Sequence, residues 1–230
     1  MGGTALAGQI IEFAANGGTT RGYLSKPASG GGPGVIVVQE WWGLDEGTKA
    51  IADRLASEGF VALAPDMFHG DMAREPGEAQ KLMMALNVDE AAKELRGAAQ
   101  ALKSNGASSQ RVGAIGFCMG GQLALYAGTV SPDVGAVVDF YGIHPNVKPD
   151  YSKLQGPVLL LVGDQDPMSG PEPSGQVEQG IKGAGKQAEM VVYPGAGHAF
   201  MRDWDPQAYR EDAAKDAWGR MLTHLRNNVR

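Results

Sequence analysis

One cysteine, Cys118, stands in a chain of 230 residues. A single thiol cannot close an internal disulfide, and such a chain fits a reducing compartment. The four histidines are scattered, with no H-x-x-x-H and no cysteine pair, so no metal site is expected. Positive charge is also in short supply. Lys and Arg number 20 against 26 Asp and Glu, a net charge of −6, and no basic patch of the size nucleic acid requires is visible. No apolar run approaches the roughly 18 residues of a membrane span. Residues Met1 to Phe13 lack a basic start and a long apolar core, so no signal peptide is expected, and a cytoplasmic location follows by elimination. The one glycine cluster, Gly30 to Gly34, precedes a strand pattern instead of following one, so it is no dinucleotide fingerprint and no cofactor is expected. None of these absences bears on oligomeric state.

What is present is an ordinary globular composition: 43% hydrophobic, 20% charged and 34 glycines, which suit many tight turns. The length fits one α/β domain over residues 1–230. Gln9 to Ala14 and Thr20 to Leu24 read as an antiparallel hairpin around Asn16-Gly17-Gly18. Strand and helix patterns then alternate. Strands are expected at Val35 to Val38, Phe60 to Ala64, Arg111 to Phe117, Ala136 to Tyr141, Val158 to Val162 and Ala188 to Tyr193. Helices are expected at Gly47 to Glu58, from Met119 to about Gly128, near Ser174 to Lys182 and at Gln207 to Asn227. Two more are expected within Arg74 to Ser104, the second capped by Asp89. The alternation implies a mainly parallel sheet covered on both faces, with the ligand site beyond the carboxyl ends of its strands.

Chemistry concentrates at Gly116-Phe117-Cys118-Met119-Gly120-Gly121, directly after an apolar run. A strand that ends in small-x-nucleophile-x-small and opens into a helix is a nucleophile elbow, here with cysteine at the nucleophile position. The glycines let neighbouring backbone pass without a Cβ clash. The helix N-terminus favours thiolate, and the Met119 N–H would face an oxyanion. The competing reading is a buried structural cysteine at a strand–helix junction.

A thiol nucleophile needs a base and an acid behind that base. His198, in Gly195-Ala196-Gly197-His198, follows the last strand and is the expected base. His144, after Tyr141-Gly142-Ile143, could border the pocket. His69 lies in a loop and His224 deep in the last helix. Gly163-Asp164-Gln165-Asp166 supplies the acid. Asp166 stands past the turn and is preferred, and Asp164 is the alternative, with a loop-capping role if not catalytic. At the end of an earlier strand comes Gln39-Glu40-Trp41-Trp42-Gly43. The Trp41 N–H is a candidate second oxyanion donor. Glu40 would lie near the thiol and needs a partner, either the Cys118 S–H or a loop donor.

These four segments, together with Ala64-Pro65-Asp66-Met67-Phe68, occur in one order along nearly the whole chain. The chain resembles the dienelactone hydrolase family. The resemblance implies an α/β-hydrolase fold and a triad of Cys118, His198 and Asp166. It also implies that Glu40 holds the resting thiol and helps to activate it when substrate binds. Arg202 matches an arginine that binds the substrate carboxylate in the type enzyme. A second such arginine and a tyrosine are not matched in register at Arg74 to Gln80. Trp41, Trp42 and Met67 to His69 suggest apolar pocket walls. The expected substrate is therefore a small ester or lactone, with dienelactone itself in question. Alternatives are a carboxylesterase or thioesterase acting on non-acidic substrates, a non-catalytic ligand-binding member, and a redox-sensing cysteine working with an external thiol.

Overall fold

The computed structural model describes residues 8–15 and 17–230. The expectation about the chain start therefore falls largely outside the described residues, as does Asn16 of the hairpin turn. Eight strands form one sheet: β1 (Gln9–Ala14), β2 (Thr19–Ser25), β3 (Gly34–Val38), β4 (Val61–Pro65), β5 (Val112–Phe117), β6 (Val134–Phe140), β7 (Val158–Gly163) and β8 (Ala188–Tyr193). Six helices accompany them: α1 (Glu46–Ser57), α2 (Pro76–Ala85), α3 (Val88–Ser104), α4 (Met119–Val130), α5 (Pro171–Gly183) and α6 (Glu211–Asn228).

The spatial order is β1-β2-β4-β3-β5-β6-β7-β8. β1 and β2 form the expected antiparallel hairpin, and β2 joins β4 antiparallel. From β4 through β8 every pairing is parallel. Strand side chains alternate across the sheet, so the continuous apolar runs feed two cores. Ile36 and Val38 face a core with Leu95 and Leu102 of α3, Leu123 of α4 and Ile181 of α5. Val35 and Val37 face the opposite core, with Leu55 of α1 and Trp218, Met221 and Leu225 of α6. The fold is an α/β-hydrolase fold. Sequence order reverses at β3, which lies between β4 and β5, and such a switch point opens a crevice at the carboxyl ends of the strands.

Three helix starts differ from expectation. α5 begins at Pro171, ahead of the expected Ser174. Asn87, not Asp89, caps α3: its Oδ1 accepts from the Asp89 and Glu90 N–H groups at 3.1 and 3.2 Å. α6 begins at Glu211, four residues later than expected. Asp205 turns the preceding loop, its Oδ1 accepting from the Gln207 N–H and its carbonyl from the Tyr209 N–H.

The glycines around Cys118 are required by close backbone approach. A Cβ on Gly116 would lie 1.9 Å from the Gly120 carbonyl oxygen, and one on Gly120 would lie 2.3 Å from the Val38 oxygen. Gly219, on the exposed side of α6, would place a Cβ in open space. Gly116→Ala should therefore destabilise the protein by about 1–3 kcal/mol or more. Gly219→Ala should stabilise it by up to about 1 kcal/mol. Urea unfolding of the two variants checks the contrast; equal effects would mean that the elbow is not sterically closed.

Candidate active site

β5 delivers the chain into a turn at Cys118, whose φ of 54° lies in the left-handed region that L residues avoid. Backbone bonds hold it there. The Cys118 N–H donates to the Phe140 carbonyl (3.0 Å), while its own carbonyl accepts from the Gly121 N–H (2.9 Å) and the Ile143 N–H (3.1 Å). Met119 is the first residue of α4, so its N–H has no acceptor within the helix. That N–H faces the sulfur and pulls the thiol pKa down. Burial and the Glu40 charge outweigh it, and the thiol is pushed up to about 12. The helix field expected to favour thiolate is thus overruled: the resting group is a buried, protonated thiol.

The loops after β7 and β8 bring Asp166 and His198 together, with His198 Nδ1 2.7 Å from Asp166 Oδ2. The same carboxylate accepts from the Met168 N–H (2.8 Å) and the Ser169 N–H (3.1 Å) through Oδ1. Ser169 Oγ stands 2.7 Å from Asp166 Oδ2, 2.9 Å from the Tyr141 carbonyl and 3.4 Å from His198 Nδ1. Burial acts to raise the Asp166 pKa. The bonds from His198 and the loop amides act more strongly, and the result is about 2. His198 Nε2 is buried and lacks a hydrogen-bond partner, leaving it free for an external proton. The imidazole lies edge-on to Tyr141, ring centroids 5.0 Å apart. Asp164 takes the other role weighed for it, its Oδ1 accepting from the Gly195 N–H at 2.7 Å.

Glu40 is buried at the end of β3. Its partner is neither the thiol nor a loop amide but Arg202, whose Nε donates to Glu40 Oε2 at 2.6 Å, with Nη2 on the same oxygen. Burial pushes the Glu40 carboxyl up, and the permanently charged guanidinium opposes that rise. The guanidinium is itself disfavoured by burial and rescued by Glu40, so its pKa rises on balance. The arginine expected to receive a substrate carboxylate is thus occupied at rest. Arg202 Cζ also stands 5.7 Å from the centre of the Trp42 ring, a cation–π contact, and Trp42 meets Trp41 edge-on at 5.5 Å.

Some expected residues lie elsewhere. His144 has both ring nitrogens engaged: Nδ1 accepts from the Asn146 N–H and Nε2 bonds the Met83 carbonyl, each at 3.2 Å. Burial, opposed by the Met83 contact, lowers its pKa, so it reads as a neutral strap between α2 and the loop after β6. The Arg74 side chain is exposed. His69 pairs with Glu94 of α3 at 2.6 Å, and His224 bonds the Pro157 carbonyl at 3.3 Å. Ser169 and Tyr141 were not singled out from the sequence. A serine three residues after a catalytic-type aspartate and a tyrosine at a strand end were the available signals. Among the described residues no group of His, Cys, Asp and Glu is arranged to hold a metal ion, and no helix is long and apolar enough to cross a membrane.

A model of the dienelactone hydrolase family matches residues 20–229. The chain belongs to the dienelactone hydrolase family. It is 36% identical to Protein usf of Aquifex pyrophilus over 219 residues, covering 92% of this chain and 94% of that one. It is 32% identical to the "Putative carboxymethylenebutenolidase" of Aquifex aeolicus, with the same coverage. Among solved structures it is similar to the "Putative Dienelactone Hydrolase" of Klebsiella pneumoniae subsp. pneumoniae. That match has a TM-score of 0.84 and 30% identity and covers 96% of this chain and 99% of that one. The protein is thus an ester hydrolase of the dienelactone hydrolase type.

The low pKa of Asp166 ties stability in this hydrolase to pH. A carboxylate whose folded pKa lies below its unfolded value stabilises the fold above the unfolded pKa, and that contribution is lost as pH falls. The stability gap between wild type and Asp166→Asn should shrink as pH drops from about 5 to about 2. Urea unfolding across that range is the check; a pH-independent gap would contradict the hydrogen bonding that holds the Asp166 carboxylate.

Proposed function

We propose that the chain acts as one domain that cleaves small lactones and activated esters through Cys118, His198 and Asp166, with a thioester acyl-enzyme. The observation that carries this reading is the half-buried His198, oriented by Asp166 through Nδ1 and unpartnered at Nε2, in a fold that also holds Cys118 in a strained turn at the end of β5. Binding alone needs no such arrangement.

In this reading the resting thiol is protonated and Glu40 is held by Arg202. A substrate anion or polarised carbonyl that competes for Arg202 releases the Glu40 carboxylate, which then takes the Cys118 proton. The thiolate attacks the acyl carbon, and the N–H groups of Trp41 and Met119 receive the oxyanion, an effect typically worth about 3–4 kcal/mol per donor. The carbonyl carbon–oxygen bond to the leaving group breaks. A His198 imidazolium protonates the leaving alkoxide through Nε2, or, with the imidazole neutral, an enolate departs without protonation; the proton held by Glu40 later returns to the thiolate. Water, deprotonated by His198, then attacks the thioester, and the carboxylic acid and thiol are regenerated. Asp166 fixes the imidazole tautomer and stabilises the imidazolium without taking its proton. A thiolate leaves more readily than an alkoxide, so enol lactones and activated esters suit the site and plain amides do not. Trp42 and Arg202 form the substrate-facing wall in this scheme.

The second reading, a hydrolase of non-acidic esters, rests on the neutralised Arg202 and the exposed Arg74. Arg202→Ala separates the two: it should raise KM for an anionic lactone far more than KM for a neutral p-nitrophenyl ester. Cys118→Ala should abolish turnover of both. Retention of full activity in that variant would overturn the cysteine mechanism.

The charge arrangement also predicts a split between thiol acidity and activity. Glu40→Gln removes the negative charge that raises the thiol and leaves the Arg202 cation, so thiolate absorbance near 240 nm should appear at lower pH than in wild type. Turnover should nevertheless fall by roughly 100-fold, because the base is gone. A thiol titration unchanged by Glu40→Gln would contradict the coupling.

A further inference from the structure

One buried charged group plays no part in this scheme. Asp139 lies in β6 among apolar residues, directly beside Gly116 of β5, and it is 4% exposed. No cation among the described residues forms an ion pair with it, and its Oδ1 is buried without a hydrogen-bond partner. Burial pushes its pKa up to about 7, opposed by the Gly142 N–H. Its charge raises the pKa of Tyr151, in the 3₁₀ turn Tyr151–Lys153. His144, two residues past Gly142, spends its nitrogens on Met83 and Asn146. A lone carboxyl in such a place is costly, and a leucine or valine would fill a β6 core position without that cost.

Its position suggests what the cost supports. The carboxyl is wedged between two glycines: a Cβ on Gly121 would come within 2.3 Å of Oδ1, and one on Gly142 within 2.2 Å. Gly121 belongs to the first turn of α4, behind the nucleophile. Gly142 belongs to the segment that wraps the elbow from the other side. That segment bonds both backbone groups of Cys118, through the Phe140 carbonyl and the Ile143 N–H. The carbonyl held by Ile143 and the N–H of Met119 are two ends of one peptide unit. A planar peptide held by its oxygen has a fixed N–H direction.

We propose that Asp139 is a positioning residue for the oxyanion-binding peptide: wedged between Gly121 and Gly142, it sets the loop whose Ile143 N–H holds the Cys118 carbonyl, and so aims the Met119 N–H. The proposal rests on the hydrolase reading only in naming that N–H an oxyanion donor. The wedge explains why two glycines face one carboxyl. The Gly142 N–H and the start of α4 both favour negative charge there.

The test compares Asp139→Ala and Asp139→Asn with wild type by three readouts. The first is hydrogen exchange over residues 117–123, which needs no activity. The second is kcat and KM on a p-nitrophenyl ester. The third is the rate of Cys118 alkylation by iodoacetamide, which needs no oxyanion hole. Asp139→Ala should speed exchange at the elbow and lower kcat by roughly 10- to 100-fold. KM should stay within about twofold, because ground-state binding does not use the aimed N–H, and the alkylation rate, which feels that N–H only through its pull on the thiol, should fall much less than kcat. Asp139→Asn keeps the wedge volume and an acceptor oxygen, folds without a buried charge, and should recover most of kcat. Unchanged exchange and kcat in Asp139→Ala would overturn the proposal, and so would an equal fall in kcat and alkylation rate. An inactive wild-type protein that still shows the exchange difference would overturn the hydrolase reading and leave the positioning intact.

Discussion

The structure depends on one steric constraint: at the end of β5 three backbone segments pass closer than side chains allow. Gly116 and Gly120 would meet backbone atoms directly if they carried a Cβ, and Gly121 and Gly142 enclose the Asp139 carboxyl, while Cys118 stands in the turn between Phe117 and Met119. That residue adopts φ 54°, a conformation that costs of order 1–3 kcal/mol unless neighbours enforce it. Parallel strands on both sides supply the enforcement. β3 crowds Gly120 from one edge, and the loop after β6 grips the Cys118 backbone from the other. The switch point of the sheet is therefore both where the crevice opens and where the backbone of Cys118 is held.

Around that fixed point the charges are arranged in pairs that keep the site quiet. Asp166 and His198 form one pair and Glu40 and Arg202 the other. The buried thiol between these influences stays protonated, because burial and the Glu40 charge together exceed the pull of the Met119 N–H. A cysteine held neutral is also shielded from adventitious oxidation, which follows thiolate character and exposure. Serine could not be switched in this way, since its hydroxyl would never become an anion at rest or near it. In the proposed mechanism, cysteine at this position and the presence of Glu40 are thus one feature of the chemistry.

Much of this was legible in the sequence for physical reasons. β-branched runs gave the strands, and the glycine spacing about Cys118 gave the elbow, because close backbone approach leaves a direct mark on residue type. Asp166 and His198 could be read from their positions after strands. What escaped was pairwise geometry. Glu40 evidently needed a partner, but nothing local says that the partner lies 162 residues away at Arg202. His144 sits at a strand end like a pocket residue, yet the Met83 carbonyl claims its ring. Asn87 displaced Asp89 as the α3 cap because an extended residue just before the helix aims its side chain at two free N–H groups, whereas Asp89 already lies inside the first turn. Ser169 and Asp139 act through contacts that only the folded chain creates.

The central claim is that Cys118 carries the acyl group. Rapid quenching of the protein in mid-turnover with p-nitrophenyl acetate, followed by peptide mass spectrometry, tests it most directly. One acetyl group is expected on the peptide containing Cys118, removed by neutral hydroxylamine as a thioester would be. Turnover with the acetyl group on another residue, or with no acyl-enzyme when deacylation is blocked by His198→Ala, would contradict it.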